Sequence, residues 1–219
     1  MAYRFLEDRR WIFLSIGLLV VTLYTLGKPN PLPVEGPAQA YFDTIEALPE
    51  GSIVLLSADF DPGSKAELLP MYQGTVHHLF QRNLRIISTC TWPAAPPIPR
   101  ATFNKLAPLY GKVYGTDWVE LGFLVGNDVA MGLIAQSLRS AFPTDARNNA
   151  PYESFPILRD VSDSCRGIAL LITTSGGFPG ILEWIPQLVT RYGVPVLAGA
   201  TAVQTPSMYP YYPDTLKGF

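Results

Sequence analysis

Along this chain the apolar positions fall in short unbroken runs instead of alternating with polar ones. Five such runs, residues 53–58, 84–91, 119–125, 168–174 and 194–200, are rich in Val, Ile and Leu. Strands covered on both faces read this way, because neither face meets water. Between the runs lie stretches of helical length, 64–82, 101–112, 127–142 and 178–192, and a shorter one at 38–48 that Pro49 and Gly51 bring to a stop. Asn83 and Gly193 stand where helices commonly end in a left-handed residue. Strand alternating with helix demands crossover connections, which are right-handed, and so a parallel sheet. The pattern predicts a three-layer Rossmann-like or flavodoxin-like α/β domain with a mainly parallel sheet of about five strands. Two stretches fall outside the repeat. The proline-rich 92–99 is expected to be a rigid connector, and 143–166 is a loop of the length that usually binds something or moves.

One apolar run differs from the rest. Residues 11–27 (WIFLSIGLLVVTLYTLG) carry no charge over seventeen positions, about 25 Å of helix and the short end of a membrane span. Trp11 and Tyr24 lie where interfacial aromatics belong. A cleaved signal peptide would use Ala38-Gln39-Ala40, but that site lies far behind the run, beyond Pro29, Pro31, Pro33 and Pro37. The expectation is a retained single-span anchor. Arg4, Arg9 and Arg10 precede it and Lys28 stands alone after it. The positive-inside rule then places residues 1–10 in the cytoplasm and the domain on the outer face of the cell membrane, periplasmic or extracellular. Residues 28–37 form a stiff proline-rich linker, 38–205 the α/β domain and 206–219 a Tyr/Pro-rich tail.

Composition removes whole classes of function. Charged residues make up 16% of the chain, against about 25% in an ordinary soluble domain. With 11 Phe, 11 Tyr and 4 Trp the core is well supplied, which excludes a disordered chain. The net charge is −2, and the first 28 residues hold four bases and two acids, so the remainder is acidic. No basic excess is left to neutralise a phosphate backbone, and nucleic acid is excluded as a partner.

In open parallel sheets ligands bind beyond the carboxyl ends of the strands. The polar residues placed there are Asp59, Asp61, Thr91, Trp92, Asn127, Ser175, Gly176, Gly177, Thr201 and Gln204, which together form the candidate ligand-binding rim. Asp59 and Asp61, two apart, would point the same way along an extended segment and share a cation or grip hydroxyls; as the alternative, Asp61 or Ser64 caps the next helix. Ser175-Gly176-Gly177-Phe178-Pro179-Gly180 offers backbone amides to an anion, although Pro179 removes one and the same composition suits an ordinary helix start. No G-x-G-x-x-G or Walker A sequence is present, and no cofactor or metal is expected. His77 and His78 are adjacent in a helix, about 100° apart, and do not face one metal. Ser175 lacks both a G-x-S-x-G setting and a later histidine. Cys90 and Cys165 leave a disulfide open.

The segments LSADFDPGSKAELLPM, TTSGGFPGILEW and GATAVQTPSMYPYYPDTLKGF, with YGTDWVELGFLVG between them, resemble an uncharacterised family of prokaryotic membrane-anchored proteins. The resemblance covers nearly all of residues 45–219. It implies a Rossmann-like domain held at a membrane, brings no established activity, and implies a continuation past Phe219 into a second hydrophobic span. Together these features favour a non-catalytic, membrane-anchored subunit of a larger assembly. Its partners would be membrane lipid, through residues 11–27, and other membrane proteins or copies of itself. Tyr209, Tyr211 and Tyr212 would then be the partner contacts, since rigid aromatic surface binds with little ordering cost. One alternative is a receptor-like module holding a small polar or anionic ligand at the rim. Another is a transferase or hydrolase using Asp59 or Asp61.

Overall fold

The computed structural model describes residues 9–27, 34, 36–161 and 165–219. Residues 1–8 and most of the 28–37 linker, on which the expectations of a cytoplasmic N-terminus and a stiff riser fall, lie outside that set. The chain divides into two compact units, Met1–Val34 and Glu35–Phe219.

In the first unit, α1 (Arg9–Leu26) is one helix of 18 residues, about 27 Å long at 1.5 Å per residue. None of its residues is buried within the chain. Two of its hydroxyls are satisfied by its own backbone: Ser15 Oγ donates to the Trp11 carbonyl at 2.7 Å and Thr25 Oγ1 to that of Val21 at 2.9 Å. Among the described residues it is the one helix long and apolar enough to cross a membrane.

The second unit runs α2 (Pro37–Glu46), β1 (Ile53–Asp59), α3 (Lys65–Gln81), β2 (Arg85–Cys90), α4 (Pro97–Leu106), β3 (Trp118–Phe123), α5 (Asn127–Gln136), α6 (Leu138–Ala141), α7 (Pro156–Arg159), β4 (Leu170–Ser175), α8 (Ile181–Trp184), β5 (Val196–Ala200) and β6 (Leu216–Gly218). All strands are parallel, in the order β3-β2-β1-β4-β5-β6. This is the Rossmann-type order, and not that of flavodoxin, with the direction of winding reversed between β1 and β4. One core packs Val54, Leu56, Ile86 and Ile172 against Tyr72, Phe80 and Phe103 of the α3–α4 side. A second, on the other face, packs Leu55, Ile87, Val119 and Leu171 against Met131, Trp184 and Leu188 of α5 and the helix that follows β4. Neighbouring residues of one strand thus enter different cores, which is why the strands read as unbroken apolar runs.

The structure corrects the expected outline in four places. The sheet has six strands, not about five, and the sixth comes from the supposed tail: Leu216 lies level with Val196, and Gly218 with Leu197. The 92–99 segment is a connector only in its first half, for α4 starts at Pro97. Prolines are tolerated there because the first helical turn has no carbonyl waiting for its amides. The 127–142 helix breaks at Ser137, which is extended (φ −158°) and caps α6 by accepting from the Ser140 amide at 3.1 Å. After α8 the helix widens through a π turn at Ile185–Val189 before its last turn, Thr190–Tyr192. Asn83 (φ 54°) and Gly193 (φ 69°) are left-handed as expected.

The first part of the long loop, residues 143–151, is organised around Asp145. Its carboxylate accepts from the Tyr114 hydroxyl and from the amides of Arg147 (3.1 Å), Asn148 (3.0 Å) and Ala150 (2.7 Å). Burial pushes the carboxyl up, but these four donors outweigh it and hold the group below the ordinary carboxylate value. Such a group stabilises the fold fully above its unfolded value, near pH 4, and loses that contribution as pH falls through its depressed folded value. Asp145→Asn is therefore expected to flatten the acid limb of a stability–pH curve while lowering stability at pH 7. An unchanged acid limb would show that Asp145 does not act this way.

Both cysteines are buried and free. Cys90 belongs to one core and Cys165 to the other, on opposite faces of the sheet, so they do not pair. Burial pushes the Cys165 thiol up to about 12, and burial together with the Asp59 and Glu120 carboxylates raises that of Cys90. In the folded chain neither is expected to react with maleimide within an hour, and both are expected to do so in denaturant. Mass spectrometry of the native adduct checks this.

Candidate functional site

The reversal between β1 and β4 is where this topology binds ligands, and the candidate residues do gather there. Asp59 closes β1, level with Ser175 of β4. Its side chain points into the core and is fully buried. Oδ1 accepts from Ser57 Oγ (2.7 Å), the Thr91 amide (3.0 Å) and Thr91 Oγ1 (2.7 Å), while Oδ2 accepts from Thr173 Oγ1 (2.8 Å) and Trp184 Nε1 (2.9 Å). Five donors from β1, the β2 end, β4 and α8 thus converge on one carboxylate. Asp61 does not share the site. Its Oδ1 takes the Ser64 amide at 3.1 Å and shapes the turn into α3.

The glycines of the segment after β4 spend their amides within the chain. Gly176 N donates to the Asp59 carbonyl at 3.0 Å, Gly177 N to Ser175 Oγ at 3.4 Å and Gly180 N to Glu183 Oε2 at 2.7 Å. Pro179 has none. Gly180 is extended, and its need for glycine is spatial: a Cβ there would lie 2.0 Å from Ser175 Oγ. The loop therefore folds down on its own strand end, and its three glycine amides are already given.

Trp92 lies over this closure. Its ring approaches within 3.5 Å of where a Gly177 Cβ would sit, and its Nε1 donates to the Pro179 carbonyl at 2.7 Å. Ser64 fills the space above Gly176. The structure thus brings together Asp59, Thr91, Trp92, Ser175, Gly176 and Gly177, and fills the space between them with their own side chains. Asn127 is exposed and left-handed at the start of α5, away from this cluster. Thr201 gives its carbonyl to the amides of Gln204 and Thr205. Gln204 lines a hollow of about 80 Å³ together with Gly177, Phe178 and Leu182, so it joins the edge of the cluster at the Gly-rich loop.

Two features were not legible beforehand. Glu120, buried in β3, accepts on Oε2 from Arg100 Nε (3.3 Å) and Arg147 Nε (3.4 Å), while Oε1 has no partner. Arg147 also lies over the Trp118 and Tyr114 rings, at 4.8 and 5.2 Å. The cluster borders a hollow of about 20 Å³ beside Ser88 and Cys90, room for a single water. No motif joins Glu120 to arginines at positions 100 and 147. The other feature is an open hollow of about 560 Å³ between the end of β3 and the Asp145 loop, bordered by Phe123, Phe142, Arg147 and Asn149. None of the rim candidates borders it.

The histidines are structural. His77 Nδ1 bonds the Tyr110 hydroxyl at 2.8 Å, and His78 Nε2 bonds Glu46 Oε1 at 2.7 Å, tying α2 to α3. Among the described residues no group of three or more His, Cys, Asp or Glu converges as metal ligands do. The tyrosine-rich segment forms short 3₁₀ turns at Thr205–Ser207 and Tyr209–Tyr211. Tyr209 and Tyr212 meet the Phe219 ring edge-on, at 5.1 and 5.8 Å, so part of the expected contact surface packs on its own domain. Tyr209 and Tyr211 remain 57% and 38% exposed. Comparison with protein-family models, curated proteins and solved structures gave no match for the chain.

Proposed function

We propose that the chain is a non-catalytic, membrane-anchored subunit that acts through protein contacts. In this reading α1 lies in the bilayer, the N-terminus in the cytoplasm and the α/β domain on the outer face. The observation that carries it is the closure at the β1/β4 reversal. Five donors saturate Asp59, the three glycine amides after β4 are spent, and Trp92 covers the crevice, so the carboxylate a transferase or hydrolase would use is committed to holding the fold. The bare helix α1 and the exposed Tyr209 and Tyr211 are what the molecule leaves for others. Gentle detergent extraction, size analysis and mass spectrometry of what co-purifies test the reading. Stable co-purifying membrane proteins, lost on Tyr209→Ala/Tyr211→Ala, are expected. A clean monomer carrying a bound metabolite would overturn it. The receptor-like alternative has one observation in its favour, the open hollow beside the Asp145 loop. It would gain if the metabolite were released by Arg147→Ala.

A further inference from the structure

The following rests on the anchored reading above. We infer that the carboxyl-end face of the domain sits on the lipid surface, with the apolar side chains of its loop tips among the headgroups.

The Pro37 carbonyl accepts from the Phe219 amide at 3.1 Å. Pro37 also borders a hollow with Gly199, Ala200, Tyr209 and Phe219, at the carboxyl ends of β5 and β6. Nine residues separate Gly27 from Pro37, and fully extended they reach about 30 Å at most. The tether therefore attaches to the carboxyl end of the sheet, and its length allows that end to reach the lipid surface if α1 is anchored as proposed above.

The same end carries a concentration of bare apolar side chains. Val203 is 90% exposed, Val125 78% and Phe178 64%, and Val129 and Leu182 accompany them. They stand on the segments that follow β3, β4 and β5, at loop tips and on the first helical turns. A single exposed valine needs no explanation, but five such side chains at one end of a domain mark a surface that meets something apolar. Asp128, between Val125 and Val129, is exposed, whereas three other carboxylates at this end are turned to backbone. Glu67 takes the Ala202 amide at 2.6 Å, Glu183 that of Gly180 at 2.7 Å and Asp61 that of Ser64 at 3.1 Å. A phenylalanine among valines and a leucine on such a face suits the apolar boundary of a bilayer. With an acidic domain the contact rests on apolar burial and not on attraction to anionic lipid, so salt is expected to leave it intact.

The test uses the full chain reconstituted in phosphatidylcholine vesicles containing a doxyl-lipid quencher. A fluorophore is attached at Phe178→Cys or Val203→Cys, and at Leu109→Cys or Val113→Cys as controls on exposed side chains at the other end of the sheet. The buried native cysteines stay silent. Lipid-borne quencher is expected to dim the 178 and 203 labels at least twofold and spare 109 and 113, with no change in about 0.5 M salt, where the screening length is only a few ångströms. Alkaline carbonate extraction of the same vesicles reports on the anchor separately. A chain that stays in the vesicles with no label quenched, or with both ends quenched alike, overturns the lipid face and leaves the anchor standing. Labels at 178 and 203 that are shielded from aqueous iodide yet untouched by the lipid quencher mean that a protein covers the face, which also overturns it. Release of the chain by carbonate overturns the anchored reading, and the lipid face with it.

Discussion

Asp59→Ala is expected to cost about 4 kcal/mol of stability, among the larger effects a single substitution produces. The substitution removes the shared acceptor of five donors. The hydroxyls of Ser57, Thr91 and Thr173 are free to turn toward other acceptors. The Trp184 indole N–H and the Thr91 amide are fixed by packing, and each is left unpaired in a dry core. Asp59→Asn is not expected to rescue the loss. Whichever way the amide lies, its NH₂ faces donors, either Ser57 and Thr91 or Thr173 and Trp184. Urea unfolding in detergent, followed by circular dichroism and tryptophan fluorescence, measures both variants. A loss below about 1 kcal/mol for Asp59→Ala, the net worth of one ordinary hydrogen bond, would contradict a structural role. It would return Asp59 to the list of groups free for chemistry.

Gly218→Ala is expected to part α2 from β6. A Cβ at this position would lie 2.3 Å from the Tyr41 amide nitrogen, 2.6 Å from its Cα and 2.8 Å from the Pro37 carbonyl oxygen. All three are backbone atoms, so no side chain is available to swing aside. Either the edge strand or the helix must move, at a cost of about 3 kcal/mol, the upper end for an inserted methyl. With it go the Phe219–Pro37 hydrogen bond and the contact of Tyr41 with Thr75, whose hydroxyls are 2.7 Å apart. Hydrogen exchange across residues 37–46 is expected to speed up while β1 and β2 keep their protection. Gly74→Ala serves as the control, since nothing lies within 4 Å of its Cβ position in α3. There alanine is expected to gain up to about 1 kcal/mol by helix propensity. Equal protection in both variants would show that the α2–β6 contact is not load-carrying.

Local pattern disclosed the five long strands because each is buried on both faces, and Val-Ile-Leu runs leave little other choice. It failed at β6, where Leu216-Lys217-Gly218 is too short to show a period and its lysine faces outward. It failed at Pro97 because proline reads as a breaker until its position within the first helical turn is known. The candidate rim shows the same division. That Asp59 ends a strand is a local fact and was legible. That Thr173 and Trp184 come to its carboxylate is not, since they lie 114 and 125 residues further along. Only the sheet order joins them, and a sequence of strands does not state its order. The expectation that Asp59 and Asp61 point alike assumed extended backbone through both, whereas the chain leaves β1 at Asp59 and turns toward α3.

The pairing of α2 with β6 also sets a timetable for synthesis. Tyr41 and Gly218 touch, yet 177 positions separate them along the chain. At about 5–20 residues per second, the ribosome needs on the order of ten to thirty seconds to deliver one after the other. Helix α2 meets α3 early in that interval, through His78 and Glu46. Its other flank waits, and so does the open edge of β5, until the final strand emerges and the nascent chain closes both at once.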